Sequence, residues 1–331
     1  MTDIAGGTYR RVLSPSLIWR DGALIPFADA TVHVLSHMAA RGSQIFDVLL
    51  VVGGPDGPAA LGLREHVARF AQSAVTMGME GLPDIGALER AVADTVLANL
   101  AADEIDPVNC APLVVKLIAS WDDTAMGIEP FSLTPNIYIA VTPWASNPAD
   151  AAKIFEPGDA IKVKTATMPK IPASILPPSM KVAAGYTPGV RHHLKASAEG
   201  YDQVLFKTVD GDMAEGVTSS FFVVRNGRIA LPPIDSVLDG VTRRVVLDVA
   251  QSLDIPFQVR AVRWEEVSTA DELFLSSTIR TVWPVGQLDD RQLDAPGPVS
   301  TAVASTLAEV LQGTHALSDR WMTPLVPLAS P

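Results

Sequence analysis

Lys181 lies in a setting that could make its amine a nucleophile. Residues 177–180 before it and 182–185 after it are apolar or small and carry no other charge. Desolvation in such surroundings lowers the pKa of a lysine amine and frees it to attack a carbonyl carbon. A lysine at a helix start is more often a solvated surface residue, so Lys181 needs chemical partners before it indicates a site.

Glu215 and the segment 240–242 are two such partners. Glu215 precedes a predicted strand and could pair with a pyridinium nitrogen, although a strand-end carboxylate in water is the simpler alternative. Val241 and Thr242 open a predicted helix after Gly240, where backbone N–H groups suit a phosphate. Ordinary N-capping predicts much the same residues, so this segment alone does not specify a ligand.

Three hydroxyl residues and one arginine are weaker candidates. Ser276, Ser277 and Thr278 end a predicted strand, where they form either a second phosphate arm or a turn. Arg69 lies on the solvent-side edge of a predicted helix, where a salt bridge is the default interpretation.

The spacing of apolar residues predicts the elements that position these candidates. A hairpin is expected at 18–23 around Asp21-Gly22, and strands at 44–52, 111–120, 136–142, 160–165, 203–208, 219–224 and 272–276. Helical spacing is found at 64–78, 85–102, 185–199, 241–253 and 299–311. Strands and helices interleave without steady alternation, which favours an α+β fold. We expect a small domain over 1–143, a linker over 144–155 and a larger domain over 156–331.

Composition excludes several classes of function. The net charge of -12 disfavours nucleic acid and anionic membranes as partners. A single cysteine, Cys110, excludes an internal disulfide, and the six histidines show no spacing typical of a metal site. The longest apolar runs are short, and one of them is interrupted by Lys116, so we expect no membrane-spanning helix. The first residues lack the apolar run of a signal peptide, so we expect a cytoplasmic protein.

The order and spacing of the candidates resemble class IV aminotransferases of fold type IV, and among these the branched-chain aminotransferases. The matching stretches are 32–37, 42–43, 46, 63–69, 126–128, 143–144, 181–186, 214–216, 239–243, 270–278, 297–299 and 319–321. Their collinearity is far more specific than any single stretch. The resemblance implies a pyridoxal 5'-phosphate enzyme with a small N-terminal domain and a larger domain containing a pseudo-barrel.

The resemblance also implies a role for each matching residue. Lys181 would carry the cofactor as a Schiff base and move the substrate proton, Glu215 would bind the pyridine nitrogen, and Tyr186 the ring oxygen. The phosphate would be held by Arg69, Val241, Thr242, Ser277 and Thr278. The partners would be an amino donor, a 2-oxo acid acceptor and a second copy of the chain in a homodimer.

The substrate side departs from the branched-chain pattern. Of the expected substrate-side positions Phe46, Arg41 and Ala111, the last carries an alanine where the family usually has an arginine. Asp47 begins a segment that differs from the usual Glu-Gly-Ile-Arg. Arg41 either replaces the missing arginine or forms an ion pair with a group such as Asp47.

Three other functions compete with a branched-chain activity. The same fold serves D-amino acid and (R)-amine transaminases, and residues 282–284 resemble the latter. It also serves aminodeoxychorismate-type lyases, which would use the same Lys181 without an amino acceptor. A dimer that keeps the fold without catalysis is the third alternative.

Overall fold

The computed structural model describes residues 16–54, 56–108, 110–124, 127–145, 148–156 and 158–326. It forms two compact units. The N-terminal unit consists of the described parts of Val12–Ala152, Ser179–Ala184 and Glu309–Pro331. The C-terminal unit contains Lys153–Pro178 and Gly185–Ala308.

The strands and helices are as follows. The strands are β1 (Leu17–Arg20), β2 (Ala23–Pro26), β3 (Ile45–Val52), β4 (Ala59–Leu61), β5 (Leu113–Ser120), β6 (Asn136–Pro143), β7 (Ile161–Thr165), β8 (Gln203–Lys207), β9 (Met213–Gly216), β10 (Ser220–Arg225), β11 (Arg228–Leu231), β12 (Phe257–Val259), β13 (Glu272–Ser277), β14 (Thr281–Leu288), β15 (Arg291–Gln292) and β16 (Met322–Pro324). The α-helices are α1 (His37–Arg41), α2 (Leu63–Met77), α3 (Ile85–Ala102), α4 (Pro148–Ala151), α5 (Thr187–Ala198), α6 (Val241–Ser252), α7 (Trp264–Ser268), α8 (Pro298–Leu311) and α9 (Ser318–Trp321). Short 3₁₀ turns cover Phe27–Asp29, Ala152–Phe155 and Ala183–Tyr186.

The sheet of the N-terminal unit has seven strands in the order β16-β4-β3-β5-β6-β1-β2. Strand β3 alternates, because Ile45, Asp47 and Leu49 are fully buried while Phe46 and Val48 are half-buried. Period-two alternation places these two sets on opposite faces of the sheet. Helix α2 packs on β3, and its own buried residues are spaced as the sequence predicts.

A short segment from later in the chain completes this unit. The N–H of Phe46 bonds the carbonyl of Lys181, and the N–H of Ala183 bonds the carbonyl of Gln44. Gly42 ends α1 with φ of 67°, and a Cβ at this glycine would lie 3.2 Å from Cβ of Ala184. Glycine at this position therefore satisfies the left-handed conformation and permits the close approach.

The sheet of the C-terminal unit has nine strands, with β12-β11-β10-β13-β14-β7-β8-β9 as its main path and β15 paired with β14. Its pairs are mixed, since β7 is parallel to both β8 and β14 whereas β10 and β13 are antiparallel. Helix α6 packs on β13 and buries Val245, Val246 and Val249. One face of this sheet is covered by a continuous apolar core.

The α+β class is confirmed, as are the hairpin at Asp21-Gly22 and the helices α2, α3 and α6. The 144–155 segment contains the short helix α4, and Glu215 lies on a strand of its own, β9. The compact units interleave along the chain, and the continuous domain boundaries 1–143, 144–155 and 156–331 stay a prediction. In the part of the chain that the structure describes, no helix is both long and apolar enough to cross a lipid bilayer.

Candidate active site

Lys181 is held by its main chain on both sides. Its carbonyl oxygen accepts from the N–H of Phe46 at 3.1 Å, and its own N–H donates to Oγ of Ser73 at 3.1 Å. Its Nζ lies 4.7 Å from the centre of the Phe46 ring. Because Phe46 is on β3 and Ser73 is on α2, a strand and a helix together fix the main-chain position from which the Lys181 side chain extends.

Arg69 is bound to a buried carboxylate. Its Nε and Nη2 each lie 2.8 Å from an oxygen of Asp47, and Nδ1 of His66 is also 2.8 Å from that carboxylate. Asp47 and His66 are fully buried, and the Arg69 side chain is 12% exposed. The expected position of Arg69 on the solvent-side edge is therefore wrong, because this face of α2 turns toward Asp47; the default salt bridge is confirmed.

The charges in this cluster are fixed by its burial. Burial alone would raise the pKa of Asp47, but the charge of Arg69 and the hydrogen bonds from Arg69 and His66 hold it well below its ordinary value. Burial, together with the charges of Arg69 and Lys181, lowers the pKa of His66 although the Asp47 carboxylate acts to raise it. Neutral His66 therefore donates from Nδ1 to Asp47, and its Nε2 has no hydrogen-bond partner among the described residues.

The substrate-side candidates Arg41 and Ala111 also belong to the N-terminal unit. Arg41 ends α1, is exposed, and donates from Nη2 to the carbonyl of Gly127 at 3.4 Å. Ala111 is half-buried ahead of β5. Asp47, the possible ion-pair partner of Arg41, is instead engaged by Arg69 and His66.

Glu215 forms a partly buried ion pair in the C-terminal unit. Its Oε1 lies 2.6 Å from Nζ of Lys170, and its Oε2 accepts from the N–H of Leu238 at 3.2 Å. Lys170 also donates to the carbonyl of Ser236 at 3.1 Å. A carboxylate has about four lone-pair sites, so these bonds leave Glu215 able to accept a further donor.

The N-terminus of α6 has no side-chain cap. Gly240 is the N-cap and provides no side-chain cap, and Val241 and Thr242 form the first helical residues. Thr242 is 3% exposed, and within the described part of the chain its Oγ1 has no hydrogen-bond partner. A hydroxyl buried without a partner costs free energy, so Thr242 stays a candidate position for a ligand.

Close backbone approaches bring the other candidates of this unit toward α6. A Cβ on Gly240 would lie 2.9 Å from Oγ of Ser220, which pairs with Ser276 near the end of β13. Ser277 is the last residue of β13 and Thr278 follows it. The hydroxyl of Ser276 is also buried without a partner among the residues that the structure describes.

Tyr186 lies at the start of α5, beside the strand that carries Glu215. It is the N-cap residue of α5. A Cβ on Gly189 in the first turn of that helix would lie 2.6 Å from Cγ1 of Val217, which follows β9. Tyr186, Glu215 and the α6 residues therefore belong to the C-terminal unit, whereas Lys181 and Arg69 belong to the N-terminal unit.

Sequence reasoning missed several charged partners. His66 and Lys170 were not singled out, and Asp47 was noted as a departure from a pattern and as an ion-pair partner for Arg41 rather than for Arg69. Their partners lie 19, 45 and 22 residues away along the chain for His66–Asp47, Lys170–Glu215 and Arg69–Asp47, so only folding reveals the pairs. Among the described residues, no group of three or more histidine, cysteine or acidic side chains could hold a metal ion.

Comparison with known proteins identifies the family. The family model for class IV aminotransferases matches residues 44–288. The chain is 25% identical to the branched-chain-amino-acid aminotransferase of Pseudomonas aeruginosa over 93% of this chain and 96% of that protein. The Escherichia coli K12 enzyme of the same name is also 25% identical, over 92% and 95% of the two chains.

Solved structures of branched-chain aminotransferases have a fold similar to that of this chain. The branched-chain aminotransferase of Thermoproteus uzoniensis with norvaline superposes with a TM-score of 0.84 at 25% identity, covering 94% of this chain and 99% of that one. The branched-chain amino acid aminotransferase of T.th., complexed with N-(5'-phosphopyridoxyl)-L-glutamate, has the same TM-score of 0.84 at 26% identity, covering 95% and 100%. The chain therefore belongs to the class IV aminotransferases, which are pyridoxal-phosphate enzymes.

Proposed function

We propose that this enzyme transfers an amino group between an amino acid and a 2-oxo acid of the branched-chain type. The observation that carries the proposal is the anchoring of Lys181, whose main chain is bonded to β3 and α2 while its amine lies over Phe46. A nucleophilic amine needs its main chain held in place, because a displacement of about 1 Å can cost roughly a hundredfold in rate.

The residues of the C-terminal unit fit a phosphorylated pyridine. The unpartnered Thr242 hydroxyl and the uncapped first turn of α6 are donors suited to a phosphate. The Glu215 carboxylate retains capacity for a pyridinium N–H. Val241 would contribute its backbone N–H to the phosphate, Ser277 and Thr278 their hydroxyls, and Tyr186 a hydrogen bond to the ring oxygen.

Pyridoxal phosphate, when bound, supplies an electron sink that stabilises negative charge at the substrate Cα. Lys181 would hold the cofactor through its amine and then move a proton to or from that Cα. Arg69 would contribute a guanidinium to the phosphate, with its plane set by the bidentate pair with Asp47.

The proposal is tested by following the cofactor absorbance of purified, cofactor-loaded enzyme. Adding L-valine or L-leucine shifts the spectrum, and adding a 2-oxo acid restores it. Lys181→Ala abolishes the cycle of shift and restoration, while Lys164→Met, which removes a lysine of β7, leaves it intact. A wild-type spectrum that no amino donor changes, or product formed from one substrate without an acceptor, contradicts the transaminase.

Exposed apolar side chains support the proposed homodimer. Val34, Ile128 and Phe131 are 78%, 78% and 82% exposed in two loops of the N-terminal unit. His37 ties these loops together, because its Nε2 lies 3.0 Å from the carbonyl of Ile128. A second copy would remove this surface from water.

Light scattering tests the proposed homodimer. Wild type is expected to be a dimer and Phe131→Glu a monomer, and a monomeric wild type contradicts the homodimer. The cytoplasmic location stays a prediction.

A further inference from the structure

Lys116 lies beside Lys181 although 65 positions separate them in the chain. It is on β5, directly opposite Val48 of β3. Its Nζ is 5.2 Å from the centre of the Phe46 ring, and Nζ of Lys181 is 4.7 Å from the same centre. Two ammonium groups therefore share one aromatic ring on the half-buried face of the β3–β5 pair.

Lys116 is not neutralised by an acidic side chain. Among the described residues, no aspartate or glutamate forms an ion pair with it. Asp47 is on β3 as well, but it lies on the opposite face and is bound to Arg69 and His66. Desolvation, and then repulsion from Lys181, lowers the pKa of Lys116. An anion placed at this ring would relieve that repulsion.

Lys116 is the only charged residue between 111 and 120. The Lys116 residue as a whole is exposed in this unit.

We propose that Lys116 is a substrate-binding residue that takes a carboxylate of the amino acid or 2-oxo acid beside Lys181 and Phe46. The inference rests on the proposed function and names a specificity determinant for it. A competing role is purely electrostatic: a second ammonium would act through its charge alone, without contacting the substrate, and it would then affect every substrate alike.

The test measures ligand binding without turnover. Calorimetric titration of cofactor-loaded enzyme uses three unreactive probes: 4-methylpentanoate, glutarate and the neutral 4-methylpentanamide. Lys116→Met is expected to weaken binding of a carboxylate about ten- to hundredfold and to leave the amide unchanged. Loss for both acids assigns Lys116 to the carboxylate that they share, and loss for glutarate alone assigns it to a second carboxylate.

Matched variants keep this test decisive. Lys164→Met removes another strand lysine, one whose Nζ lies 4.8 Å from the centre of the Tyr201 ring, and is expected to change nothing. Lys116→Arg is expected to retain most of the acid affinity, and Lys116→Gln replaces the Met variant if that one does not fold. Unchanged acid binding, or equal loss for acid and amide, overturns the proposal. Failure of the proposed function is seen separately, as a wild-type spectrum that no amino donor shifts.

Discussion

In the N-terminal unit the buried Asp47 carboxylate is bonded to Arg69 and His66, whereas in the C-terminal unit the buried Thr242 hydroxyl has no partner among the described residues. Both groups are almost completely removed from water. The first is satisfied by the protein itself, and the second is a position that we propose for the cofactor phosphate. The difference separates a group that organises the fold from one that we propose for a ligand.

The comparison predicts the largest effect at Asp47. Asp47→Asn leaves Arg69 without its buried counter-charge and is expected to lower the free energy of unfolding by about 3–5 kcal/mol. The matched control is Glu266→Gln, because Glu266 also accepts two bonds from one arginine, Arg260, at the exposed surface. Its expected cost is about 0–1 kcal/mol. Denaturant unfolding measures both, and equal losses would mean that burial does not distinguish the pairs.

At Thr242 we expect an effect on cofactor binding rather than on the free energy of unfolding. Thr242→Val removes a hydroxyl that bonds nothing in the described protein, so the stability of the cofactor-free enzyme should be unchanged or higher. Loss of a donor to a charged phosphate should weaken pyridoxal-phosphate binding by about 1.5–3 kcal/mol. Thr242→Ser retains the hydroxyl and is the control. A destabilised protein with unaltered cofactor affinity would show that the hydroxyl serves the fold.

The smallest effect concerns pH and His66. The pKa of His66 is lowered in the folded protein. As the pH decreases below the unfolded value of about 6.5, the unfolded chain binds a proton that His66 in the folded protein does not bind, and the free energy of unfolding decreases. The slope from this residue is at most about 1.4 kcal/mol per pH unit. Asp47 contributes separately, because its depressed pKa keeps its stabilisation intact until the pH falls below about 3.9.

Comparing His66→Gln with wild type between pH 7 and 5 isolates this contribution. The variant is expected to have a shallower pH dependence of unfolding, since glutamine does not titrate. His33→Gln at an exposed position is the control and should follow wild type. Parallel curves for wild type and His66→Gln would mean that His66 is already protonated in the fold.

Local patterns in the sequence predicted the elements but not the pairs between them. The Asp21-Gly22 turn was readable because both residues adopt positive φ, 46° and 99°, which their types favour. Strand β9 was missed because it has four residues and too little alternation to recognise. Strand β16 pairs with β4 from the far end of the chain, a contact with no local signal.

The candidate site shows the same limit. Lys181, Glu215 and Thr242 were found because their order and spacing match a family. Lys170 and Lys116 have no such match, and in the sequence Lys116 is only a charge that interrupts an apolar run. Its closeness to Phe46 depends on the register of β3 and β5, which pairs Val48 with Lys116. The register of the two strands, rather than residue type, places this second lysine amine beside the Phe46 ring.

Chemical trapping of the cofactor tests the central claim most directly. Reducing the cofactor-loaded enzyme with sodium borohydride makes the bond between lysine and cofactor permanent, and peptide mapping then identifies the lysine. Lys116 is the internal comparison, because both amines lie near the Phe46 ring. We expect the phosphopyridoxyl group on Lys181 alone and none on the Lys181→Ala protein. A label on Lys116, or bound cofactor with no label on any lysine, would contradict the account.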